Sequence, residues 1–483
     1  MATVEGLRNT RQGAAIVLAA GLAAVALAAV LWAVATAAPL GFLHVRFNLS
    51  QTPAGVSAQP DLAVSATGNW VAAVWTEEYK SGTGQAKGHV YLRAAPEAGA
   101  GWGSTMRVFT GTDSACAYAA AVAITDTTAH VAYVVFNDTC ANPSQIQVRH
   151  RTCSLTQGRC SPQEDPVTSV DTHYNKITWV DLALDAAGNP HIVWPRYDQY
   201  GKQGAIFYRG AFGDHWTDPE PVASSGDNHA PAIAYADNYL HVVWTDQLVQ
   251  GDETRRGIYY RRRPTSGPGA AWESSTTICP RQAGPNNPDV AAGSGKVFVV
   301  WDWCSFYDPV TKSCVQYKLV YRRSNDSGSH WGIDGDEMRE VGTDHLYYGP
   351  DALTQYDSLD DLASRGEYLV DLQPSIALNR YGRLAVAWQA DRSGGDGTDY
   401  AIYYSYALTG TDWTTRTVLY DGQPTMQGAP VIGVGEPAPG EPHLHVAYMQ
   451  RLGAAAWEVY YDSNESGNYP HRYLPLVMRA YLH

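Results

Sequence analysis

One short segment recurs seven times along this chain, and it limits the possible folds more than any other feature. Each copy is an apolar run, in four cases preceded by His, that ends in an aromatic residue. The terminal aromatic residues are Trp75, Tyr133, Trp194, Trp244, Trp301, Trp388 and Tyr448. Their successive numbers differ by 58, 61, 50, 57, 87 and 60. This spacing is too long for a solenoid and suits a unit of four strands. We therefore predict seven repeat units, numbered one to seven by these residues.

Each unit continues with a further strand pattern and a turn. Segments such as Ile258–Arg261 and Leu319–Arg322 alternate in polarity, as half-buried strands do. A Gly-x-x-Trp turn then follows in five of the seven units. This order predicts an all-β fold over residues 44–468. We expect a seven-bladed β-propeller of four-stranded antiparallel blades, with six blades as the alternative, preceded by one N-terminal hydrophobic helix.

The ends of the predicted ring also leave a pattern. His44–Leu49 precedes unit one, at the place where a fourth strand would lie. We predict that this segment completes unit seven and joins the two ends of the chain, because a closed ring leaves no exposed strand edge. The alternative is that Tyr473–Val477 takes this position.

The clearest turn in the chain runs from Ser324 to Trp331. Ser324, Asp326, Gly328 and Trp331 have the spacing Ser-x-Asp-x-Gly-x-x-Trp. Short polar side chains at this spacing can close a turn on its own backbone and bury the indole beneath it. The pattern resembles the Asp-box, or BNR repeat, of the sialidase-like β-propeller superfamily. The resemblance implies that these turns are structural and lie opposite the ligand-binding loops. True sialidases of this type have six blades, so seven units is a departure.

The resemblance places the ligand-binding loops just after the second strand of each unit. Charged and aromatic residues there can grip a polyhydroxylated or acidic ligand. The predicted ligand-binding residues are Arg196, Tyr197, Asp198, Trp303, Asp391, Arg392 and Arg451. The candidates for a catalytic acid or base are Glu77, Asp246 and Asp302. The alternative reading is a set of solvated loop tips whose ion pairs contribute little.

The longest interval between units contains an acidic, Tyr-containing loop. His345–Asp371 follows unit five and carries Tyr347 and Tyr348 among several Asp residues. Inserted loops of this length in compact folds are often functional lids. A decorative insertion is the alternative interpretation.

Catalysis is not assigned by the sequence. Sialidase chemistry, as the resemblance implies it, needs three arginines on the substrate carboxylate, a Tyr nucleophile activated by Glu, and an Asp acid/base. The early Phe/Tyr-Arg-Ile-Pro segment of that family is absent, since Arg46 precedes Phe47 and Arg196 precedes Tyr197. We expect a non-catalytic module that binds carbohydrate or protein. The alternatives are a glycoside hydrolase of the exo-sialidase type, a polysaccharide lyase, or a purely structural surface protein.

No cofactor is expected from the sequence. His130, His191, His241 and His445 recur at one position in their units, which favours a capping role over metal binding. Oxygen ligands for Ca²⁺ are available at Asp391, Asp396 and Asp399, although this segment lacks the EF-hand pattern.

The N-terminal segment differs from the rest. Arg8 and Arg11 precede an uncharged, Ala-rich run, so residues 1–43 read as a signal peptide or an N-terminal membrane anchor. The remainder is then extracytoplasmic, either secreted or anchored, and residues 469–483 form a C-terminal tail. A formal charge of −14 argues against nucleic acid. We expect a monomer whose partner is a glycan or an extracellular protein, with membrane contact only through the N-terminal segment.

Seven Cys residues fit an oxidising compartment. The repeat order places two of them around unit two on one face and two more on the other face. Three others lie around unit five. The predicted disulfides are Cys116–Cys140, Cys153–Cys160 and Cys304–Cys314, with Cys279 as the thiol left over.

Overall fold

The computed structural model describes most of the repeat region. The described residues are 47–51, 56–80, 86–96, 101–112, 115–137, 145–168, 177, 179–197, 204–250, 253–282, 285–308, 313–331, 338–340, 346–347, 370–391, 400–408, 413–414, 417–419, 427–435, 442–452 and 456–464. Every regular element in these ranges is a β-strand. They contain no helix with the length and apolar character needed to cross a membrane. The predicted N-terminal helix and the C-terminal tail lie outside the described residues.

The strands follow one another in short hairpins. In the described part they are β1 (Phe47–Asn48), β2 (Val56–Val64), β3 (Trp70–Lys80), β4 (Ala86–Pro96), β5 (Met106–Phe109), β6 (Ala115–Ile124), β7 (Thr128–Asn137), β8 (Gln145–Ser154), β9 (Arg159–Cys160), β10 (Asp165–Pro166), β11 (Asp181–Leu184), β12 (Pro190–Arg196), β13 (Ala205–Phe212), β14 (His215–Trp216), β15 (Glu220–Ala223), β16 (Asp227–Ala236), β17 (Tyr239–Gln250), β18 (Glu253–Pro264), β19 (Thr276–Gln282), β20 (Asn286–Gly293), β21 (Lys296–Asp308), β22 (Ser313–Ser324), β23 (Met338–Glu340), β24 (Leu346–Tyr347), β25 (Val370–Leu378), β26 (Leu384–Asp391), β27 (Tyr400–Ala407), β28 (Thr417–Val418), β29 (Gln427–Gly435), β30 (His443–Leu452) and β31 (Ala456–Ser463). The seven numbering aromatic residues lie on β3, β7, β12, β17, β21, β26 and β30.

These strands pair into six sheets in the described part of the chain. Five sheets have four or five strands each: β6–β10, β11–β15, β16–β19, β20–β24 and β25–β28. The sixth has eight strands, in the order β29, β30, β31, β2, β3, β4 and β5, with β1 paired to β31. Each of the five smaller sheets is one propeller blade.

The predicted number of blades is wrong, both for seven and for the alternative of six. The described residues form five separate blades, and units one and seven share the eight-stranded sheet. The reason is a parallel bridge between β2 and β31, in which Val56 lies opposite Trp457. This one contact joins the hydrogen bonding of the first and last units. The all-β architecture is as expected.

The first strand of a unit bends at the same position in six units. The bulges follow Ala58, Tyr118, His229, Asn286, Leu372 and Gly428. The next residue has a positive φ between 44° and 53° in every case, and Pro follows it in five of the six. A bulge turns the strand and re-aims the side chains beside it. These bulges therefore determine the direction in which the side chains near the start of each first strand point.

Buried carboxylates join the first strands of neighbouring units. One carboxylate oxygen accepts a hydrogen bond from a backbone N–H of the next unit. The contacts are Asp61 to Val122 (2.7 Å), Asp181 to Ile233 (2.7 Å) and Asp289 to Ile376 (2.8 Å). Burial raises the pKa of Asp61 to about 7 and that of Asp289 to about 6. These hydrogen bonds therefore only partly offset the cost of desolvating the carboxylates.

A recurring contact among His, Tyr and Trp side chains holds adjacent units together. His241 Nδ1 lies 2.8 Å from the Tyr260 hydroxyl. The Tyr260 ring meets Trp331 of the next unit edge to face, with centroids 4.8 Å apart. The same His–Tyr contact occurs at His191–Tyr208 and His445–Tyr461, and the same edge-on indole at Trp272, Trp413 and Trp102. Three of the four recurring histidines therefore contact a buried tyrosine hydroxyl, whereas His130 lies 3.2 Å from His150.

The Asp-box turn closes on itself. The Ser324 hydroxyl oxygen accepts the Gly328 N–H at 2.9 Å, and Asp326 accepts the His330 N–H at 2.8 Å. Gly328 has a φ of 84°, and a Cβ there would collide with the Tyr260 hydroxyl. Trp331 is 7% exposed. The side chains of Ser324 and Asp326 therefore bind the backbone of their own turn, and the turn holds the Trp331 indole against Tyr260.

The N-terminal strand joins the last unit. Phe47 and Asn48 pair with Tyr461 and Tyr460 of β31, and the Leu49 N–H donates to the Val459 carbonyl at 2.8 Å. The prediction that this segment completes unit seven is confirmed. The alternative segment, Tyr473–Val477, lies outside the described residues.

One disulfide lies within the described side chains. Cys153 and Cys160 are bonded across the β8–β9 pair. The side chains of Cys140 and Cys314 are outside the described part, so the other two pairings stay predictions. Cys279 is fully buried, with its Sγ 3.6 Å from the Pro280 carbonyl oxygen.

Candidate functional site

The candidate site lies at the end of the units where first strands begin and second strands end, which we call the loop end. The antiparallel register brings these two places together. In unit four, for example, Asp227 lies opposite Gln247 and His229 lies opposite Thr245. The Asp-box turns lie at the other end of the same strands. Residues just before each bulge therefore share the loop end with residues just after each numbering aromatic.

An ion pair in unit four fixes the first part of the site. The Arg281 guanidinium donates to the Asp246 carboxylate, whose side chain is 8% exposed against 36% for Arg281. Asp246 also accepts the Asp227 N–H at 3.2 Å. The guanidinium lies over the Tyr259 ring, 5.9 Å from its centroid. Asp246 is thus occupied by its ion pair with Arg281, and the arginine is the more exposed of the two side chains.

A second arginine is held nearby by an amide. Arg256 Nε donates to Gln247 Oε1 at 3.0 Å, and Gln247 Nε2 donates to Asp227 at 3.4 Å. Arg256 is half-buried. A guanidinium has five N–H donors. Among the described residues, only one donor of Arg256 and one of Arg281 has a hydrogen-bond partner.

Asp302 of unit five lies near enough to Arg256 to be affected by its charge, and it is 1% exposed. It accepts a hydrogen bond from the Asn287 side chain at 2.7 Å and one from the Gln373 N–H at 3.4 Å. Burial raises the pKa of Asp302 to about 7, while Asn287, Gln373 and the charge of Arg256 act in the opposite direction. Its other oxygen, Oδ1, is buried with no hydrogen-bond partner among the described residues.

A chain of three side chains connects units three and four. The Tyr197 hydroxyl lies 3.0 Å from His229 Nδ1, and His229 Nε2 lies 3.0 Å from Asp227 Oδ1. The second contact is short but is not a well-aligned hydrogen bond. Asp227 also accepts the Gly204 N–H at 3.1 Å. Because Asp227 contacts Gln247 as well, the chain from Tyr197 to Arg256 is continuous.

Two exposed aromatic rings lie at the loop end of neighbouring first strands. Tyr118 is 41% exposed and precedes the bulge of unit two, and Trp179 is 48% exposed two residues before Asp181 of unit three. Asp181 binds the N–H of Ile233, which places the first strands of units three and four side by side. Trp179 therefore lies at the same end as His229. Exposed rings of this kind offer stacking surfaces to a ligand.

The structure brings only some of the predicted residues together. Tyr197, Asp246 and Asp302 belong to the cluster of units three to five. Glu77 lies in unit one, in a cross-strand row with Ser57 and His89. Three further predicted residues are not part of that cluster. Trp303 is 4% exposed in the core between units four and five. Arg196 lies over the Phe207 ring, 5.4 Å from its centroid, and Arg451 is half-buried on β30.

Other predicted residues fall outside the described side chains. Asp391 ends β26, and its side chain is not among those described. Asp198, Arg392, Asp396 and Asp399 lie outside the described residues altogether. Within the part of the chain that the structure describes, no group of three or more His, Cys, Asp or Glu side chains could hold a metal ion. The Ca²⁺ segment therefore stays a prediction.

Sequence reasoning missed Asp227, His229, Gln247, Arg256 and Arg281. Their contacts depend on strand register and on the bulge, which a single sequence does not show. Trp179 was missed as well, although the sequence held a signal for it. Trp179-Val180-Asp181 is equivalent to Asn287-Pro288-Asp289 in unit five. That equivalence places Trp179 at the bulge position at the loop end.

The comparisons with known proteins rest on structure alone. No protein-family model and no curated protein matches the sequence. Trypanosoma rangeli sialidase in complex with sialic acid is 10% identical with a TM-score of 0.44, covering 88% of this chain and 60% of that chain. Phage phi92 endosialidase is 11% identical with a TM-score of 0.41, covering 87% and 69%. A protein of unknown function from Dyadobacter fermentans is 11% identical with a TM-score of 0.37, covering 60% and 95%.

This chain thus spans about 60% of the length of that sialidase. The structures found in this way include sialidases, an endosialidase and a protein of unknown function, each at 10% or 11% identity. At these identities the likeness does not extend to activity.

Proposed function

We propose that this protein is an exported β-propeller that binds glycans carrying carboxylate groups through the loop end of units two to five. Export follows from the N-terminal segment, in which Arg8 and Arg11 precede a long apolar run. The protein is then either released or held at the membrane by that segment.

One observation carries the proposal: Arg256 and Arg281 are fixed at one edge and have unused donors at the other. Gln247 and Asp246 hold them in place, so little side-chain entropy remains to be lost when a ligand binds. Guanidinium groups bind carboxylates through paired N–H donors. This arrangement favours an acidic ligand over a neutral one.

The exposed rings favour a sugar as the body of that ligand. Tyr118 and Trp179 present flat apolar surfaces at the same end of the molecule. Such rings pack against the apolar face of a sugar, while convergent polar groups set its orientation. A carboxylated glycan satisfies both features with one molecule.

The test is a binding measurement on the full-length protein with a glycan array that holds uronate-containing, sialylated and neutral oligosaccharides. We expect preference for the carboxylated glycans. Arg281→Ala and Arg256→Ala should each weaken binding by roughly 10- to 100-fold, because a charge-assisted hydrogen bond contributes about 1.5 to 3 kcal/mol.

The matched control is Arg380→Ala, an exposed arginine in the turn between β25 and β26 at the Asp-box end. This variant should bind as the wild type does. Equal binding of neutral glycans, or full binding by both loop-end variants, would contradict the proposal.

A further inference from the structure

We infer that Tyr197, His229 and Asp227 form an acid–base relay that makes this loop end a site for β-elimination on uronate glycans. The inference rests on the proposed function, since it uses the same site. It adds a reaction class and assigns roles to three side chains.

The relay is built from contacts of ordinary hydrogen-bonding length. Tyr197 and Asp227 lie on opposite sides of the His229 ring, each 3.0 Å from one ring nitrogen. The side chains of His229 and Asp227 are 26% and 19% exposed, and Tyr197 is 7% exposed. The imidazole ring is therefore partly open to solvent, with Nε2 buried beside Asp227 and the tyrosine hydroxyl held at Nδ1.

Hydrogen-bond chemistry sets the direction of the relay. A carboxylate can only accept, so in the neutral imidazole the nitrogen facing Asp227 carries the proton. The other nitrogen, Nδ1, is then an acceptor for the Tyr197 O–H. His229 is therefore placed to take the tyrosine proton.

The surrounding backbone holds these groups in place. Gly204 packs so closely that a Cβ there would lie 2.8 Å from the Tyr197 ring. The Gly204 N–H also binds Asp227. His229 directly precedes the bulge residue Ala230, whose φ of 44° turns this part of β16. Fixed geometry of this kind is what proton transfer requires.

The arginines supply the second requirement of the reaction. A guanidinium bound to the carboxylate of a uronate makes the proton on the adjacent carbon, C5, more acidic. Arg256 is linked to the relay through Gln247 and Asp227. A sugar whose carboxylate meets Arg256 thus lies close to the side chains of the relay.

The elimination then balances without any other reactant. The Tyr197 oxygen takes the C5 proton as its own proton passes to His229. The electron pair of the C5–H bond forms a C4–C5 double bond, and the C4–O bond breaks with its pair on the leaving oxygen. The relay returns one proton to that oxygen, so the products are an unsaturated uronate and a sugar hydroxyl.

Hydrolysis suits the described residues less well. Most glycoside hydrolases use two carboxyl groups, one on either side of the scissile bond, and sialidases use a Tyr nucleophile with an Asp acid/base. Asp246 is occupied by Arg281, and Asp302 is 1% exposed. The side chains of His229 and Asp227 are more exposed than those of Asp246 and Asp302.

The experiment incubates full-length protein with galacturonate and glucuronate oligomers and follows ultraviolet absorbance and product mass. We expect unsaturated products that lack one water relative to hydrolysis products. Tyr197→Phe and His229→Gln should lower kcat by on the order of 100-fold or more, as loss of acid–base catalysis does. Both should bind the oligomers within about threefold of the wild type, since uniform binding is retained.

Asp227 is a positioning residue, so its variant needs a different readout. Asp227→Asn should lower kcat while KM stays nearly unchanged, because the imidazole loses its fixed tautomer but the arginines remain. Arg380→Ala should leave turnover unchanged. Thermal unfolding of each variant shows whether it is folded.

The outcomes separate the two proposals. Saturated products, or tight binding with no turnover, would overturn the elimination and leave the glycan site standing. Absence of binding to every carboxylated oligomer would overturn both.

Discussion

Single side chains at the loop end divide into those already satisfied and those that are not. Asp246 and Asp302 were predicted as catalytic candidates, yet Asp246 holds Arg281, and Asp302 is buried against Asn287 with only its Oδ2 atom bonded among the described residues. Their contacts resemble those of the Asp-box, where Ser324 and Asp326 serve the backbone. The arginines, by contrast, keep unused donors. We therefore propose that the ligand is bound by Arg281, which Asp246 positions, and by Arg256, which Gln247 positions.

The first prediction at this scale concerns Trp331. The indole is 7% exposed and contacts Tyr260 of the neighbouring unit edge to face. Trp331→Ala should lower the free energy of unfolding by about 3 to 5 kcal/mol, because it opens a cavity between two units. Denaturant unfolding followed by fluorescence or circular dichroism measures the change.

Trp179→Ala is the matched control, since that indole is 48% exposed. In the absence of ligand it should change stability by less than about 0.5 kcal/mol. Similar losses at both positions would show that the Asp-box indole is not a special contact.

Local patterns made some residues predictable and left others out of reach. The Asp-box could be predicted because its four motif residues lie within one stretch of eight, and Ser324 and Asp326 accept hydrogen bonds from the backbone of the same turn. Tyr197 and His229 are 32 residues apart in sequence and meet only across two units. A shift of one residue in either strand would turn one of these side chains away. No property of the sequence fixes that register by itself.

At the scale of elements, the first strands hold the units together through a bulge and a buried Asp. The segments Gln59-Pro60-Asp61 and Asn287-Pro288-Asp289 show both features in three residues. The carboxylate of each accepts a backbone N–H of the next unit. The sequence thus predicts where these strands begin, while the bridge to the neighbouring unit needs the structure.

The buried hydrogen bond from the Val122 N–H to Asp61 predicts a dependence of stability on pH. Burial raises the pKa of Asp61 from 3.8 to about 7 in the folded protein. The protonated form therefore favours folding, and its contribution is complete below about pH 4 and lost as the pH rises through 7. Asp61→Asn cannot ionise. From pH 4 to pH 7, the difference in unfolding free energy should move in favour of the variant by at most about 1.4 kcal/mol per pH unit.

Denaturant unfolding at several pH values measures this difference. Asp214→Asn, at an exposed turn position, is the control and should show no such trend. A difference for Asp61→Asn that is constant with pH, or moves toward the wild type, would contradict the account of the bridge.

At the scale of the whole molecule, the two ends of the repeat region meet in one sheet. β1 pairs with β31, and β2 touches β31 through a single parallel bridge. The repeat pattern predicted that the N-terminal segment would join unit seven. It did not predict that units one and seven would share one sheet, because a bridge between residues 56 and 457 has no local signal in the sequence. The number of separate blades was wrong for that reason.

Ring closure predicts a large effect at Leu49. This side chain is fully buried between units one and seven, with Trp75 and Tyr461 in the same core cluster. Leu49→Ala should lower the free energy of unfolding by about 2 to 5 kcal/mol. Leu248→Ala is the matched control, because Leu248 is 41% exposed. Closure would be unimportant for stability if both variants unfolded like the wild type.

The central claim is that the loop end of units two to five binds a carboxylated glycan, and a crystal structure of the protein with a bound uronate oligosaccharide tests it most directly. We expect the ligand carboxylate within hydrogen-bonding distance of Arg256 or Arg281, and a sugar ring against Trp179 or Tyr118. An oligosaccharide bound at the Asp-box end, or at the loop end without contact to either arginine, would contradict the claim.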